Sequence, residues 1–218
     1  MRLLITAGPT QVHLDPVRVL TNLATGRTGE AIADFASALG HEVTLLTSRP
    51  PDSALPPAGV HFERFATPVE LGTLLGERIH KNPPDAIIHS AAVGDFEVGK
   101  ITDAAGRVVG SEKLDSAQGP FLLELVRSPK LIDSFRRDWG FQGVLVGFKL
   151  ESGMTTEKLL REAEATRCRT RANLMVANHL ESAGSEAFIG PDFQGQYERV
   201  ERHNLPSRLI SLISHQLK

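Results

Sequence analysis

Apolar positions along this chain keep two rhythms. Short unbroken apolar runs occupy 2–7 (RLLITA), 42–47 (EVTLLT), 86–89 (AIIH), 143–148 (GVLVGF) and 174–177 (LMVA), most of them running into glycine, serine or asparagine. A run of that length between turn residues reads as a strand buried on both faces. Between the runs, apolar residues return every three or four positions. In 28–39, Ala31, Ile32, Phe35, Ala36 and Leu39 share one helical face, and Gly40 supplies a stop. Residues 68–79 read as a helix opened by Thr67 as N-cap, with Pro68 at its first position. Residues 155–166 and 206–217 read as helices, 131–135 as a helical turn, 60–65 as a short strand, and the neighbourhood of Phe188 and Tyr197 as a hairpin.

Two segments break the rhythm. The proline-rich run 50–57 reads as an irregular loop. Residues 97–118 carry few large apolar groups, three glycines and charges of both signs, and read as a long loop or flap. No internal repeat or shift in composition marks a second domain, so 1–218 is read as one domain. Strands alternating with helices predict an α/β fold with a mostly parallel sheet. Such sheets bind ligands at the C-terminal ends of their strands. That singles out Gly8, residues 90–95, 148–151, and Asn178.

Composition narrows the class. The 218 residues include 24 Lys and Arg against 26 Asp and Glu, a net charge of -2, which leaves no general electrostatic case for nucleic acid or a membrane surface. Hydrophobic residues are 41% and charged residues 23%, as in ordinary globular proteins. Cys168 is the only cysteine, so no internal disulfide is possible, and no Cys/His set has zinc spacing. The apolar start MRLLITAGPT is too short for a signal sequence, and no stretch approaches the ~20 apolar residues of a membrane span. A cytoplasmic protein without nucleic-acid or membrane partners is expected.

The strand ends carry the chemistry. Gly26 and Gly29 precede the first helix, where bare backbone N–H groups and the helix dipole suit a phosphate; they equally suit a plain loop and helix entry. Arg18, Asn22 and Arg27 share that loop, and an arginine there binds phosphate or carboxylate in a fork, or is simply solvated. Lys113 in the flap reads as a cation closing over a triphosphate, or as a surface lysine. Asp95 ends a small-residue turn and reads as a magnesium ligand or as a turn cap. The cluster Arg167, Arg169 and Arg171 reads as a helix end rather than a phosphate site. Absences exclude other classes. There is no G-x-x-x-x-G-K-[ST] loop and no G-x-S-x-G elbow, and the second strand ends Thr47-Ser48-Arg49 with no acid for an NAD ribose.

Together these residues resemble the phosphopantothenoylcysteine synthetase (phosphopantothenate–cysteine ligase) family of coenzyme A biosynthesis, over nearly the whole chain. Ile5-Thr6-Ala7-Gly8-Pro9-Thr10 with Leu14-Asp15-Pro16-Val17-Arg18 is similar to the family's opening signature. Thr21-Asn22 with Thr25-Gly26-Arg27-Thr28-Gly29 resembles its Ser-Asn…Ser-Gly-Lys-x-Gly segment, Ser90-Ala91-Ala92-Val93-Gly94-Asp95-Phe96 its Ala-Ala-Val-x-Asp turn, and Glu112-Lys113-Leu114 its Glu-Lys-Ile flap. Val146 to Glu151 and Val176-Ala177-Asn178 resemble later strand ends.

The resemblance implies a Rossmann-like sheet with helices on both faces, a long flap and a small C-terminal β/helix extension. It implies ligation of 4′-phosphopantothenate and L-cysteine through an acyl-nucleotide, with CTP or ATP as cosubstrate, Mg2+ on the phosphates, and a homodimer. Asn22 and Lys113 take the catalytic positions; Arg18, Asn22 and Ala92 bind the acyl substrate. Gly8, Gly26, Gly29, Ser90, Ala91, Asp95, Phe148 and Asn178 border the nucleotide. No metal ligand set is implied.

The chain departs from the bacterial pattern in two places. The flap reads Lys113-Leu114-Asp115-Ser116 where many bacterial members have Lys-Ile-Lys-Lys, and Asn178-His179 replaces Asn-Asp. Both look closer to the eukaryotic form, so the choice between CTP and ATP stays open. Many bacterial chains carry a flavin-dependent decarboxylase domain first; here Met1 leads directly into the first strand, so a separate phosphopantothenoylcysteine decarboxylase is expected. Rival readings are an NAD(P)-dependent oxidoreductase on a similar sheet and a non-catalytic nucleotide-binding module.

Overall fold

The run RLLITA forms β1 (Arg2–Ala7), and all but its first residue are buried. The computed structural model describes residues 1–49, 59–110 and 112–217, so the loop expected at 50–57 lies outside the described residues. After β1 come β2 (Gln11–His13), β3 (Val19–Thr21), α1 (Arg27–Ala38), β4 (Glu42–Thr47), β5 (Val60–Arg64), α2 (Pro68–Lys81) and β6 (Ala86–His89). The second half holds β7 (Phe96–Thr102), β8 (Leu122–Arg127), α3 (Leu131–Arg137), β9 (Val144–Glu151), α4 (Thr156–Thr170), β10 (Leu174–His179), β11 (Glu186–Gly190), β12 (Glu198–Glu201) and α5 (Leu205–Gln216).

One sheet of eight strands runs in the order β12-β11-β10-β9-β6-β1-β4-β5. From β10 to β5 the strands are parallel, and the β11–β12 extension is antiparallel. This is the Rossmann-like arrangement that the resemblance implies. Side chains alternate across each strand, so one apolar run serves two cores. Leu3 and Ile5 face α1 and α5, packing with Ile32, Ile88, Leu209 and Ile213. Leu4 faces α2, α3 and α4, with Leu71, Ile87, Phe135, Leu145 and Leu159. Thr67 caps α2 as expected: its hydroxyl accepts from Glu70 N–H at 3.2 Å, and the Glu70 carboxylate accepts from Thr67 N–H at 3.4 Å.

The chain leaves β1 toward β4 and β5, then returns to the opposite side of β1 as β6. The order therefore reverses between β1 and β6, and a crevice opens at their C-terminal ends.

The stretch 97–118, read as a long loop or flap, contains regular structure. Its first part is β7, paired antiparallel with β8 in a two-stranded ribbon, and a turn at 103–107 follows. A second ribbon, β2–β3, lies between β1 and α1. Helix α4 runs four residues past the expected end at 166, to Thr170, and stops where Arg171 turns left-handed at φ 54°.

Candidate active site

At the crevice three glycines let backbone meet backbone. Gly8 and Gly26 both take left-handed φ, 84° and 82°, and a Cβ on Gly26 would sit 3.2 Å from the Gly8 nitrogen. Gly26 is the N-cap of α1 and brings no side-chain acceptor, so the first amides of α1 have no side-chain cap. Gly29 is buried within α1. A Cβ there would meet the Ala7 Cβ at 2.7 Å, Ser90 Oγ at 2.8 Å and the Thr6 carbonyl at 3.1 Å. Its bareness thus serves close helix–strand packing.

The β6 turn is stitched to β1 by hydrogen bonds. Ser90 Oγ donates to the Thr6 carbonyl at 2.6 Å, Ala91 N–H to Thr6 Oγ1 at 3.1 Å, and Ala92 N–H to the Gly8 carbonyl at 2.9 Å. The carbonyl of Ala92 accepts from Thr10 N–H and from Asn22 Nδ2, each at 3.2 Å. Asn22 is exposed, and its side-chain oxygen has no partner among the described residues. Thr10 Oγ1 accepts from Gly94 N–H at 2.9 Å, and Thr21 Oγ1 donates to the Thr10 carbonyl at 2.9 Å. Gly8, Gly26, Gly29, Ser90, Ala91, Ala92 and Asn22 are therefore brought together as one wall.

Thr6 and Thr10, both essentially fully buried, are the hubs that sequence reasoning missed. The available signal was polarity: each interrupts or ends an otherwise apolar segment. His89 was also missed. It is buried at the end of β6, its Nδ1 is 3.0 Å from Thr6 Oγ1, and Phe135 meets its ring edge-on at 5.2 Å. Burial without a charged partner lowers its pKa to about 4.

The remaining site residues lie around this wall. Asp95 is exposed and pairs with Lys130 at 3.6 Å; among the described residues its carboxylate caps no amide, so the turn-cap alternative is not what is found. Its backbone carbonyl accepts from Ser128 N–H at 3.0 Å. Phe148 is partly buried against the α1–α5 core. Asn178 is 6% exposed, and its Oδ1 accepts from Arg202 Nη1 at 3.3 Å. Arg202 also donates to Thr28 Oγ1 in the first turn of α1, so it ties β10 to the crevice. Burial lowers the Arg202 pKa.

Arg18 is exposed, and its Nη1 donates to Asp15 Oδ2 at 2.7 Å and to the Leu114 carbonyl at 3.0 Å. Lys113 is exposed and makes no ion pair among the described residues. Arg167 pairs with Glu164 at 2.7 Å and Arg169 with Asp133, which fits the helix-end reading of that cluster. No group of three or more His, Cys, Asp or Glu among the described residues is placed to hold a metal.

The profile of the DNA/pantothenate metabolism flavoprotein C-terminal domain family matches residues 1–196. The chain is 34% identical over 221 residues to the coenzyme A biosynthesis bifunctional protein CoaBC of Thermococcus kodakarensis, covering 99% of this chain and 51% of that protein. It is 30% identical over 193 residues to the protein of the same name from Methanocaldococcus jannaschii, covering 88% and 43%. The chain spans about half the length of the curated relatives it matches. The crystal structure of the DNA/pantothenate metabolism flavoprotein from Streptococcus pneumoniae superposes with a TM-score of 0.87 at 25% identity, covering 99% of each chain. A mutant of Cab2 in complex with phosphopantothenate-cysteine shares the fold, with a TM-score of 0.71 at 17% identity over 100% of this chain and 89% of that one.

Proposed function

The chain belongs to the DNA/pantothenate metabolism flavoprotein C-terminal domain family, and from that membership we propose that it is a phosphopantothenate–cysteine ligase of coenzyme A biosynthesis. One observation carries the proposal beyond family: the topological switch point gathers Gly8, Gly26, Ser90, Ala92 and Asn22 into a single wall. A relative named for coenzyme A biosynthesis and a fold neighbour solved with phosphopantothenate-cysteine support the same chemistry.

In the proposed reaction the carboxylate of 4′-phosphopantothenate attacks the α-phosphorus of CTP or ATP, and pyrophosphate leaves. The amine of L-cysteine then attacks the acyl carbon, and the nucleoside monophosphate leaves. A poor electrophile thus acquires a good leaving group, and what the protein adds is positioning and charge neutralisation. The uncapped amides of α1 behind Gly26 and Gly29 offer donors to phosphate oxygens. Asn22 holds the acyl-phosphate region, with Ala92 fixing its amide; Lys113 brings positive charge from the flap. Arg18 retains Nε and Nη2 for the acyl substrate, while Phe148 and Asn178 border the base. Asp95, exposed at the end of the β6 turn, would be the protein carboxylate for a magnesium ion carried in with the nucleotide, and that ion would neutralise phosphate charge.

We place the enzyme in the cytoplasm as a homodimer. The decarboxylase that consumes its product is placed outside residues 1–218. No helix among the described residues is long and apolar enough to cross a membrane.

The test is direct. Pure protein with phosphopantothenate, cysteine, magnesium and either CTP or ATP should release pyrophosphate, and the two rates side by side identify the nucleotide. No release with either would overturn the ligase reading.

A further inference from the structure

The flap lysine sits beside an anchor that lies outside the flap. Asp15 is 4% exposed, and each oxygen of its carboxylate has a separate task. Oδ1 accepts from the N–H groups of Val17 at 2.9 Å and Arg18 at 2.7 Å, which closes the turn at 15–18 on itself. Oδ2 accepts from Arg18 Nη1 at 2.7 Å and from Leu114 N–H at 3.1 Å. Arg18 Nη1 also donates to the Leu114 carbonyl at 3.0 Å. Leu114 is thus gripped at both its backbone polar groups by a turn 99 residues earlier.

Within 112–117 only Leu114 is buried; Glu112, Lys113, Asp115, Ser116 and Ala117 are exposed. A single anchor therefore decides where this stretch lies, and Lys113 is covalently next to it. We infer that Asp15 is a positioning residue for the ligation, fixing through Leu114 the point from which the flap presents Lys113. This rests on the ligase reading with Lys113 in its catalytic role. Burial works against a charged Asp15, but its three backbone N–H partners and Arg18 outweigh that and hold its pKa below the ordinary value. The carboxylate thus stays an acceptor at neutral pH.

Asp15→Asn separates positioning from turn building. Asparagine keeps an Oδ1 for Val17 and Arg18, but its Nδ2 sets a donor against the donors of Leu114 and Arg18. The expected result is a folded protein with a lowered melting temperature, since buried donors then face a donor, with the Leu114 amide exchanging at least about tenfold faster and trypsin cutting faster after Lys113. Turnover should fall on the order of 10- to 100-fold, the scale of a reacting group misplaced by about 1 Å. In a Lys113→Ala background, Asp15→Asn should cost less than about twofold further, because the residue it positions is gone. Should Asp15→Asn fold poorly, Leu114→Pro removes the amide donor from the flap side, leaves the turn intact and must lower turnover in the same way.

Full multiplication of the two single losses in the double variant overturns the inference. So does an Asp15→Asn protein with a freed Leu114 amide and undiminished turnover; that result leaves the ligase reading standing. A wild-type chain inactive with both nucleotides overturns the ligase reading, and the positioning role with it.

Discussion

At the scale of single residues, the site residues divide into those that read out in the sequence and those that only packing reveals. Asn22 and Lys113 stood out through the motifs in which they resemble the family, Thr21-Asn22 and Glu112-Lys113-Leu114; position alone left Lys113 readable as a surface lysine and Asn22 as a loop residue. We expect Asn22→Ala and Lys113→Ala each to lower turnover about a hundredfold, the scale of losing one aimed donor or charge; steady-state rates of folded variants check this, and full rates in both would remove the assignment. His89 did not stand out, because a histidine ending an apolar run looks like any strand terminus. Its neighbours show its consequence. The unfolded chain protonates this histidine near 6.5, while the buried ring resists protonation until about pH 4. Between those values the unfolded state binds more protons, so stability falls as pH falls, by about 2 kcal/mol from pH 6.5 to 5 for this one group. His41, whose pKa is lowered by partial burial and by the N-terminal amine, acts with the same sign. Denaturant midpoints at pH 7 and pH 5 should show the loss, and His89→Gln should flatten it. An unchanged slope in that variant would clear His89 of the effect.

At the scale of elements, every strand and helix bounded by two packed faces was legible, because burial on both sides enforces the pattern. The ribbons β2–β3 and β7–β8 were not, since little of them is buried. All six residues of β8 are exposed, and so are the three of β3. Their alternation carries no demand that one face be apolar, so 97–118 passed for a loop. The reach of Arg202 from beyond β12 to α1 was equally hidden, because it joins residues 174 positions apart. Helix α1 shows what its glycines mean. Gly29 was read as an opening for phosphate or as a plain helix entry, and the helix lies so close to β1 and β6 that a methyl group there collides with the Ala7 Cβ and the Thr6 carbonyl. We expect Gly29→Ala to cost about 1–3 kcal/mol by overpacking and to lower activity by displacing the first turn of α1. Chemical denaturation and nucleotide binding measured on the same sample check both effects; full stability would mean that α1 can slide without cost.

At the scale of the whole molecule, the two ribbons pose a physical problem. A two-stranded ribbon alone in water is marginal at best. These ribbons also expose Val19 (38%), Leu20 (40%), Phe96 (45%), Leu122 (69%), Leu123 (44%), Leu125 (43%) and Val126 (41%). Scattered apolar residues on a surface are ordinary, but a run of them along strands that bury as little as these is the pattern of an interface. The homodimer proposed above would explain it, because a self-complementary contact would cover both copies' ribbons at once and close as a twofold dimer. The flap that carries Lys113 connects β7 to β8, so in that dimer association and catalysis would share one element. Sedimentation of the wild-type protein should show a dimer at micromolar concentration. Replacing Leu123 and Leu125, which share one face of β8, by glutamate should yield a monomer whose main sheet keeps its far-UV signal. That monomer should turn over more slowly, because the ribbon that presents the flap then keeps only its contacts within the chain, with β2 and through Leu114 with Asp15. A wild-type protein that sediments as a monomer and still ligates at full rate would mean that β7–β8 holds itself in place without a partner.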